Sequence, residues 1–316
     1  MMNAKKFISS SRRLDMNTGS CNEIKMVILD MAGTTVDYGS CAPAGALKEL
    51  FARHGISLSL EKVRGPMGMH KRDHIKELAA DEWVANQWHQ VYGRPFNDKD
   101  LEQLYQEFIP LQLNILEKHG VLIPGTLEAQ HYLRAKGIKI GVTTGYCREI
   151  SEIVLKQMEK QGFEPDVMVC SSDVAGGRPA PWMAITAAQK LGIDTPEAVV
   201  KIGDTELDIA AGLNAGMWSV GVVKTGNMLG LTLEEQWALP EWELHSRLEE
   251  ARMKMANTGA HDVIDSIADA PFTVEKINVR LAKRKKSKSS KATPYWVSLN
   301  YLLRQKTGQL HAGATV

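Results

Sequence analysis

The chain is poor in cysteine, with four in 316 residues, at positions 21, 41, 147 and 170. No two of them have C-x-x-C spacing, so neither a zinc site nor a dithiol redox pair is supported. Their scatter suits reduced thiols in a cytosolic-type compartment better than a disulfide framework. Excess charge is missing too. Thirty-eight Lys and Arg face 37 Asp and Glu, a formal net charge of +1. Such a balance gives no global attraction to nucleic acid or to an anionic membrane surface. No apolar run approaches the ~20 residues of a membrane span. What is present is an ordinary globular composition, 44% hydrophobic and 24% charged. The length suits one α/β domain with an insertion, or two domains.

The two ends differ from the middle. Residues 1–23 are polar and carry Lys5, Lys6, Arg12 and Arg13, without the apolar core of a secretory signal. They read as a disordered extension or as an organelle transit peptide. The compartment expected is the cytoplasm, with an organelle such as the mitochondrion as the alternative. Residues 276–316 read as a basic C-terminal tail around RLAKRKKSKSSK (280–291). That run reads as a solvated tail, or as a localisation signal or polyanion contact.

Between the ends, strand and helix signals alternate. Lys25–Asp30, Lys139–Thr143, Val167–Cys170, Val199–Gly203 and Ser219–Val223 are short apolar runs, each closed by polar or glycine-bearing residues. Helical patterns separate them, as at 148–161 and 181–191. This predicts an α/β fold with a Rossmann-like parallel sheet, helices on both faces. The core is expected over 24–40 and 123–275. Residues 41–122 break the rhythm with helical periodicity alone, at 44–54, 67–80, 81–92 and 98–118. They predict an inserted helical cap, placed to cover the strand ends where open parallel sheets bind ligands.

Those strand ends carry the chemistry. Asp30, in VILDMAGTTVD, is a competent nucleophile toward phosphorus and a hard oxygen ligand. Gly33-Thr34-Thr35 offers amides and hydroxyls for an anion. Asp204 and Asp208, in KIGDTELD, lie four residues apart at another strand end, where they can face one cation. Thr144 brings a hydroxyl at a third strand end, and Arg178 a cation that cannot lose its proton. Each has a plain structural reading, as cap, turn or helix-start residue. Together they form a phosphoryl-transfer set with one divalent metal.

This ordered set, D-x-x-x-T, then Thr, then Arg, then an acid pair, resembles the haloacid dehalogenase superfamily of aspartyl-phosphate enzymes. Phosphatases of that superfamily carry a second Asp as general acid two residues after the nucleophile. Here that position is Ala32, and alanine donates no proton. A leaving group that departs as carbon needs an electron sink instead. RGPMGMHKRDHIKEL (64–78) supplies one: Pro66 can open a helix on which Met67, Lys71 and His74 share a face. A lysine amine can form an imine with a carbonyl substrate.

DMAGTTVDYG, PMGMHKRDH, TTGYCRE, GRPAPWM and GDTELD together resemble the phosphonoacetaldehyde hydrolase, or phosphonatase, family. The resemblance implies hydrolysis of a C–P bond, giving acetaldehyde and phosphate, with Mg²⁺. It implies Asp30 as nucleophile and Lys71 as Schiff-base lysine. Asp30, the Ala32 carbonyl and Asp204 are then the metal ligands, with Asp208 supporting them. Thr144 and Arg178 hold the phosphoryl oxygens. Met67, His74 and Tyr146 line the aldehyde side, His74 assisting proton movement. A small phosphonate substrate and a homodimer are implied, and no nucleic acid or membrane partner. Trp83, Trp88 and Tyr92 offer an apolar face, or else core packing. The sequence departs from the family at Ser40-Cys41, where cysteine often comes first. The tail beyond about 280 has no counterpart. Two other readings stay open: a phosphomonoester phosphatase or phosphomutase of the same superfamily, and a catalytically silent binding protein. Ala32 argues against the first. The intact acid pair and Asp30 motif argue against the second.

Overall fold

The structure is a computed structural model that describes residues 23–288. The expectations for the N-terminal extension, and for the tail beyond residue 288, lie outside those residues. A parallel sheet of six strands forms the centre: β1 (Met26–Asp30), β2 (Lys139–Thr144), β3 (Val167–Cys170), β4 (Val199–Gly203), β5 (Trp218–Val222) and β6 (Asp262–Ile264). The order is β3-β2-β1-β4-β5-β6. The first five match the apolar runs to within a residue. The sixth is a short edge strand that the sequence pattern did not suggest, since only Ile264 of its three residues is buried.

Strand β1 shows why the sheet sits where it does. All five of its residues are buried. Val27 and Leu29 join one apolar cluster, Met26 and Ile28 the other. This is the period-2 alternation of a strand covered on both faces. The chain turns outward on either side of β1, toward β2 in one direction and β4 in the other. This reversal is the topological switch at which such sheets place their sites. Asp30 stands there, in register with Thr143 of β2.

Five helices follow β1 without an intervening strand: α1 (Cys41–Arg53), α2 (Leu60–Arg64), α3 (Lys71–Ala80), α4 (Glu82–Tyr92) and α5 (Asp98–His119). Asn97 caps α5 in a capping box with Asp100, whose carboxylate accepts from the Asn97 amide. Phe51, Trp88 and Phe108 are buried among these helices. Trp88 stacks on Tyr92 at 4.4 Å and meets Phe96 edge-on at 4.9 Å. It is therefore core packing, not part of an apolar face; Trp83 and Tyr92 keep about two-fifths of their surface.

The two chain crossings to this insertion lie side by side. Asp37 N–H donates to Val121 O, Ile123 N–H donates to Thr35 O, and Val36 bridges Leu122. Gly39 and Gly125, next to these crossings, both have positive φ (83° and 92°). The sheet helices are α6 (Thr126–Ala135), α7 (Arg148–Lys160), α8 (Trp182–Lys190) and α9 (Glu206–Asn214). Three further helices were not read from the sequence: α10 (Leu233–Ala238), α11 (Glu241–Asn257) and α12 (Ala270–Lys288). The last corrects the expected boundary at 275. Val274, Ile277 and Leu281 are buried, so the packed chain runs past it. Among the described residues, no helix is long and apolar enough to cross a membrane.

Candidate active site

Asp30, Ala32, Ser40, Met67, Gly68, Lys71, Thr144, Tyr146, Arg178, Asp204 and Thr205 line one narrow cavity of about 20 Å³. Nearly all the expected site residues therefore meet, although they come from four strand ends and the insertion. A larger cavity, about 480 Å³, lies between α3, α4 and the start of α5. It lacks the convergent carboxylates and cations of the first.

The acids form the floor. One oxygen each from Asp30, Asp204 and Asp208 lie within 4.8 Å of one another, and all three residues are buried. Asp204 Oδ2 accepts from the Asn227 amide at 2.8 Å. Asp208 is fully engaged: Lys201 Nζ donates to Oδ1 at 2.6 Å, Thr205 Oγ1 donates to Oδ2 at 2.6 Å, and Arg178 pairs with Oδ1 at 3.1 Å. It thus orients the cations around it, while Asp30 and Asp204 retain oxygens toward the cavity. Burial raises the pKa of Asp30, against the pull of Arg178. Burial, with Asp30 and Asp208 nearby, pushes Asp204 well above the usual carboxylate range. Burial also works against Asp208, but Arg178 and Lys201 outweigh it and hold its carboxyl low. A buried set of three converging carboxylates, hard oxygen donors whose charge burial disfavours, fits a divalent cation.

Arg178 Nη2 donates to Asp30 Oδ1 and to Thr143 O, the latter at 3.0 Å. Its Nε is buried without a partner. Thr144 sits at the end of β2, its Oγ1 accepting from the Tyr146 amide at 3.2 Å. In the loop after Asp30 the amides expected to face an anion are used within the turn, while Thr34 Oγ1 is buried without a partner. Gly33 and Thr35 donate their amides to Val36 O and Met31 O at 2.8 Å, and Thr34 donates to Met31 O. The turn consumes them because it must be tight. A Cβ on Gly33, φ +79°, would lie 2.1 Å from Asp204 Oδ2.

Lys71 is 3% exposed. Its Nζ donates to Met67 Sδ at 3.5 Å and lies 5.8 Å from the Tyr146 ring centre. Burial lowers its pKa to about 8, opposed by Asp30 and aided by Arg178. Met67 is not on its helix, which corrects the expected start at Pro66. Gly68, φ +97°, interrupts the chain, and α3 begins at Lys71 with the His70 ring accepting from the Arg72 amide. His74 is one turn further along and fully buried. Its Nε2 bonds Val63 O at 2.8 Å. Burial and the neighbouring Lys71 charge lower its pKa to about 3, so the ring is neutral near pH 7. It holds α3 against the end of α2 and is not in the cavity wall. Ser40 lines the cavity, whereas Cys41 lies against Arg64, 3.6 Å from Nη2.

Three polar residues escaped the sequence reading. Lys201, inside β4, is 1% exposed and binds Asp208. A lysine within an apolar strand, seven residues before an acid, was a usable sign of a buried pair. Arg64 and Asn227 bond each other across 163 residues, and no local pattern signals that.

Fold and site define a class: this is a haloacid dehalogenase-like hydrolase, and the family model of that description matches residues 24–216. The chain is 45% identical over 260 residues to a phosphonoacetaldehyde hydrolase of Syntrophobacter fumaroxidans, covering 82% of this chain and 94% of that one. It is 41% identical to one from Paraburkholderia phytofirmans, with 82% and 97% covered. A solved phosphonoacetaldehyde hydrolase-like protein of Oleispira antarctica superposes with a TM-score of 0.81 at 37% identity, covering 90% of this chain and 98% of that one. The chain belongs to the phosphonoacetaldehyde hydrolase family.

Proposed function

We propose that this enzyme hydrolyses the C–P bond of phosphonoacetaldehyde, releasing acetaldehyde and phosphate. One observation carries the reading. A buried lysine with a depressed pKa faces the same cavity as the Asp30 nucleophile, where Ala32 offers no acid. With a pKa of about 8, Lys71 is neutral in roughly a tenth of molecules at pH 7. The neutral amine attacks the aldehyde carbon to give a carbinolamine, which takes up a proton and loses water to leave an iminium ion. Asp30 then attacks phosphorus through an oxygen. The C–P electron pair moves into the new C=C bond, and the iminium nitrogen becomes a neutral enamine. Proton uptake at carbon and hydrolysis of the imine free acetaldehyde and Lys71. Water cleaves the aspartyl-phosphate.

Asp30, the Ala32 carbonyl and Asp204 would hold Mg²⁺, which when bound supplies positive charge beside the phosphonate oxygens. Arg178, whose Nε is unpartnered, and Thr144 bind the remaining phosphonate oxygens. Met67 and Tyr146 bound the aldehyde side. Asp208 and Lys201 fix Arg178 and the acid floor. The cavity has room for about one water, so binding the substrate requires the site to widen, which movement of the insertion would allow.

A phosphate-release assay with Mg²⁺ on two substrates tests the reading. Phosphonoacetaldehyde should be cleaved and simple phosphomonoesters not. Borohydride with substrate should fix the label on Lys71. Phosphomonoester turnover without phosphonate turnover would return the chain to the phosphatase or phosphomutase class, and a label on another lysine would remove the imine step.

A further inference from the structure

We propose that Arg64 and Asn227 are positioning residues that lock the insertion closed and, by the same bonds, orient Asp204. Arg64 ends α2. Its Nη1 donates to Gly39 O at 2.9 Å, Ser40 O at 3.3 Å and Asn227 Oδ1 at 3.0 Å. Nη2 donates to Gly230 O at 3.0 Å. Asn227 Nδ2 returns a bond to Arg64 O at 3.3 Å. One guanidinium thus ties together the insertion, the crossing into α1, and the 225–230 loop after β5. Its planar fork of donors suits such a junction, which a lysine could not reproduce.

The loop it grips is the one that holds Asp204. Asn227 N–H donates to Asp204 Oδ2. A Cβ on Gly226 would lie 2.5 Å from Asp204 Cβ, so loop and acid are in close contact. The crossing is bound to the same loop: Gly39 N–H donates to Thr225 O at 2.8 Å, and Thr225 Oγ1 to Gly33 O at 2.9 Å. Downstream of Arg64 come Met67, Gly68 and Lys71, all on the cavity wall. His74 braces the same corner through Val63 O. The position of Lys71 and the orientation of Asp204 therefore share one set of bonds. When the insertion opens, Arg64 leaves its carbonyls and the Asn227 loop loses its clamp.

Hydrogen exchange on the full chain reads this directly, and that arm does not depend on the proposed reaction. Arg64→Ala and Asn227→Ala should each speed exchange in peptides covering 39–41 and 225–230, leaving β1 and β4 unchanged. Arg64→Lys should fall between them and wild type, and keeps the test usable if Arg64→Ala fails to fold. The kinetic arm rests on the proposed function. There each variant should lower kcat/KM and raise the Mg²⁺ concentration for half-activity by about 10- to 100-fold. The double variant should lose no more than either single one. Unchanged exchange at 225–230, or losses that multiply in the double variant, would overturn the latch. A wild-type protein inert toward the phosphonate would sink the proposed function and leave the exchange result to decide the latch.

Discussion

At the scale of the residue, the informative position is the alanine two places after Asp30, the proposed nucleophile. Ala32 is nine-tenths buried and borders Asp30 in a cavity with almost no spare volume. An aspartate there would be a fourth carboxylate in a site where burial already raises Asp30 and Asp204. Like charges that close favour protonation of one partner, and the added atoms occupy substrate space. Ala32→Asp should therefore lower phosphonate cleavage by about 100-fold or more, the cost of ångström-scale misplacement. At most a weak phosphomonoester activity should appear. Steady-state phosphate release on both substrates checks this. Unchanged phosphonate cleavage would show that the small side chain at 32 has no bearing on the chemistry.

At the scale of the element, the turn between α2 and α3 decides how the insertion meets the sheet. Gly68 rests on the start of α9: an added Cβ would lie 2.6 Å from Thr205 Oγ1 and 3.3 Å from Leu207 Cβ. On the other side, a Cβ on Gly145 would lie 2.7 Å from Met69 O. Gly68→Ala should cost about 1–2 kcal/mol of backbone strain. It should also push the turn off the core, lowering kcat/KM by about 10-fold or more. Gly93→Ala is the matched control, since Gly93 has φ +68° with nothing within 4 Å of an added Cβ. It should carry similar strain with normal turnover, and equal kinetic loss in both would remove the contact as the cause. The same turn marks the limit of what sequence showed. Lys71 and His74 were placed on one helix face because spacing fixes that. The same spacing points to Met67 as well, but Gly68 ends the regularity and tertiary contact overrides Pro66 as a helix start. The strands were legible because both faces are buried and leave continuous apolar runs. β6 was not, since it is a short edge strand with one buried residue of three. Arg64 and Asn227 are invisible to any local pattern, because their partners are mostly backbone carbonyls far along the chain.

At the scale of the whole molecule, the site is a store of unfavourable burial that the rest of the fold sustains. Lys71 shows its size. Its pKa falls from 10.5 to about 8 on folding, a penalty of roughly 3 kcal/mol at neutral pH at 1.36 kcal/mol per unit. The neutral amine that this favours is what the proposed imine step needs. Stability and chemistry should therefore separate in Lys71→Met, which keeps an unbranched apolar stem and removes the charge. At pH 7 the variant should melt about 5 °C higher than wild type and turn over no phosphonate. The gap should depend on pH in a defined sense. The folded pKa lies below the unfolded one, so between about pH 8 and 10.5 the unfolded chain binds more protons than the folded one. Wild-type stability from this group thus rises with pH across that window, and the penalty is full only below it. Thermal melts of both proteins at pH 7 and pH 10 should show the advantage of Lys71→Met shrinking toward zero. A constant gap, or a variant less stable than wild type at pH 7, would mean that the buried ammonium is held by partners as good as water, and that the fold does not spend stability to activate this lysine.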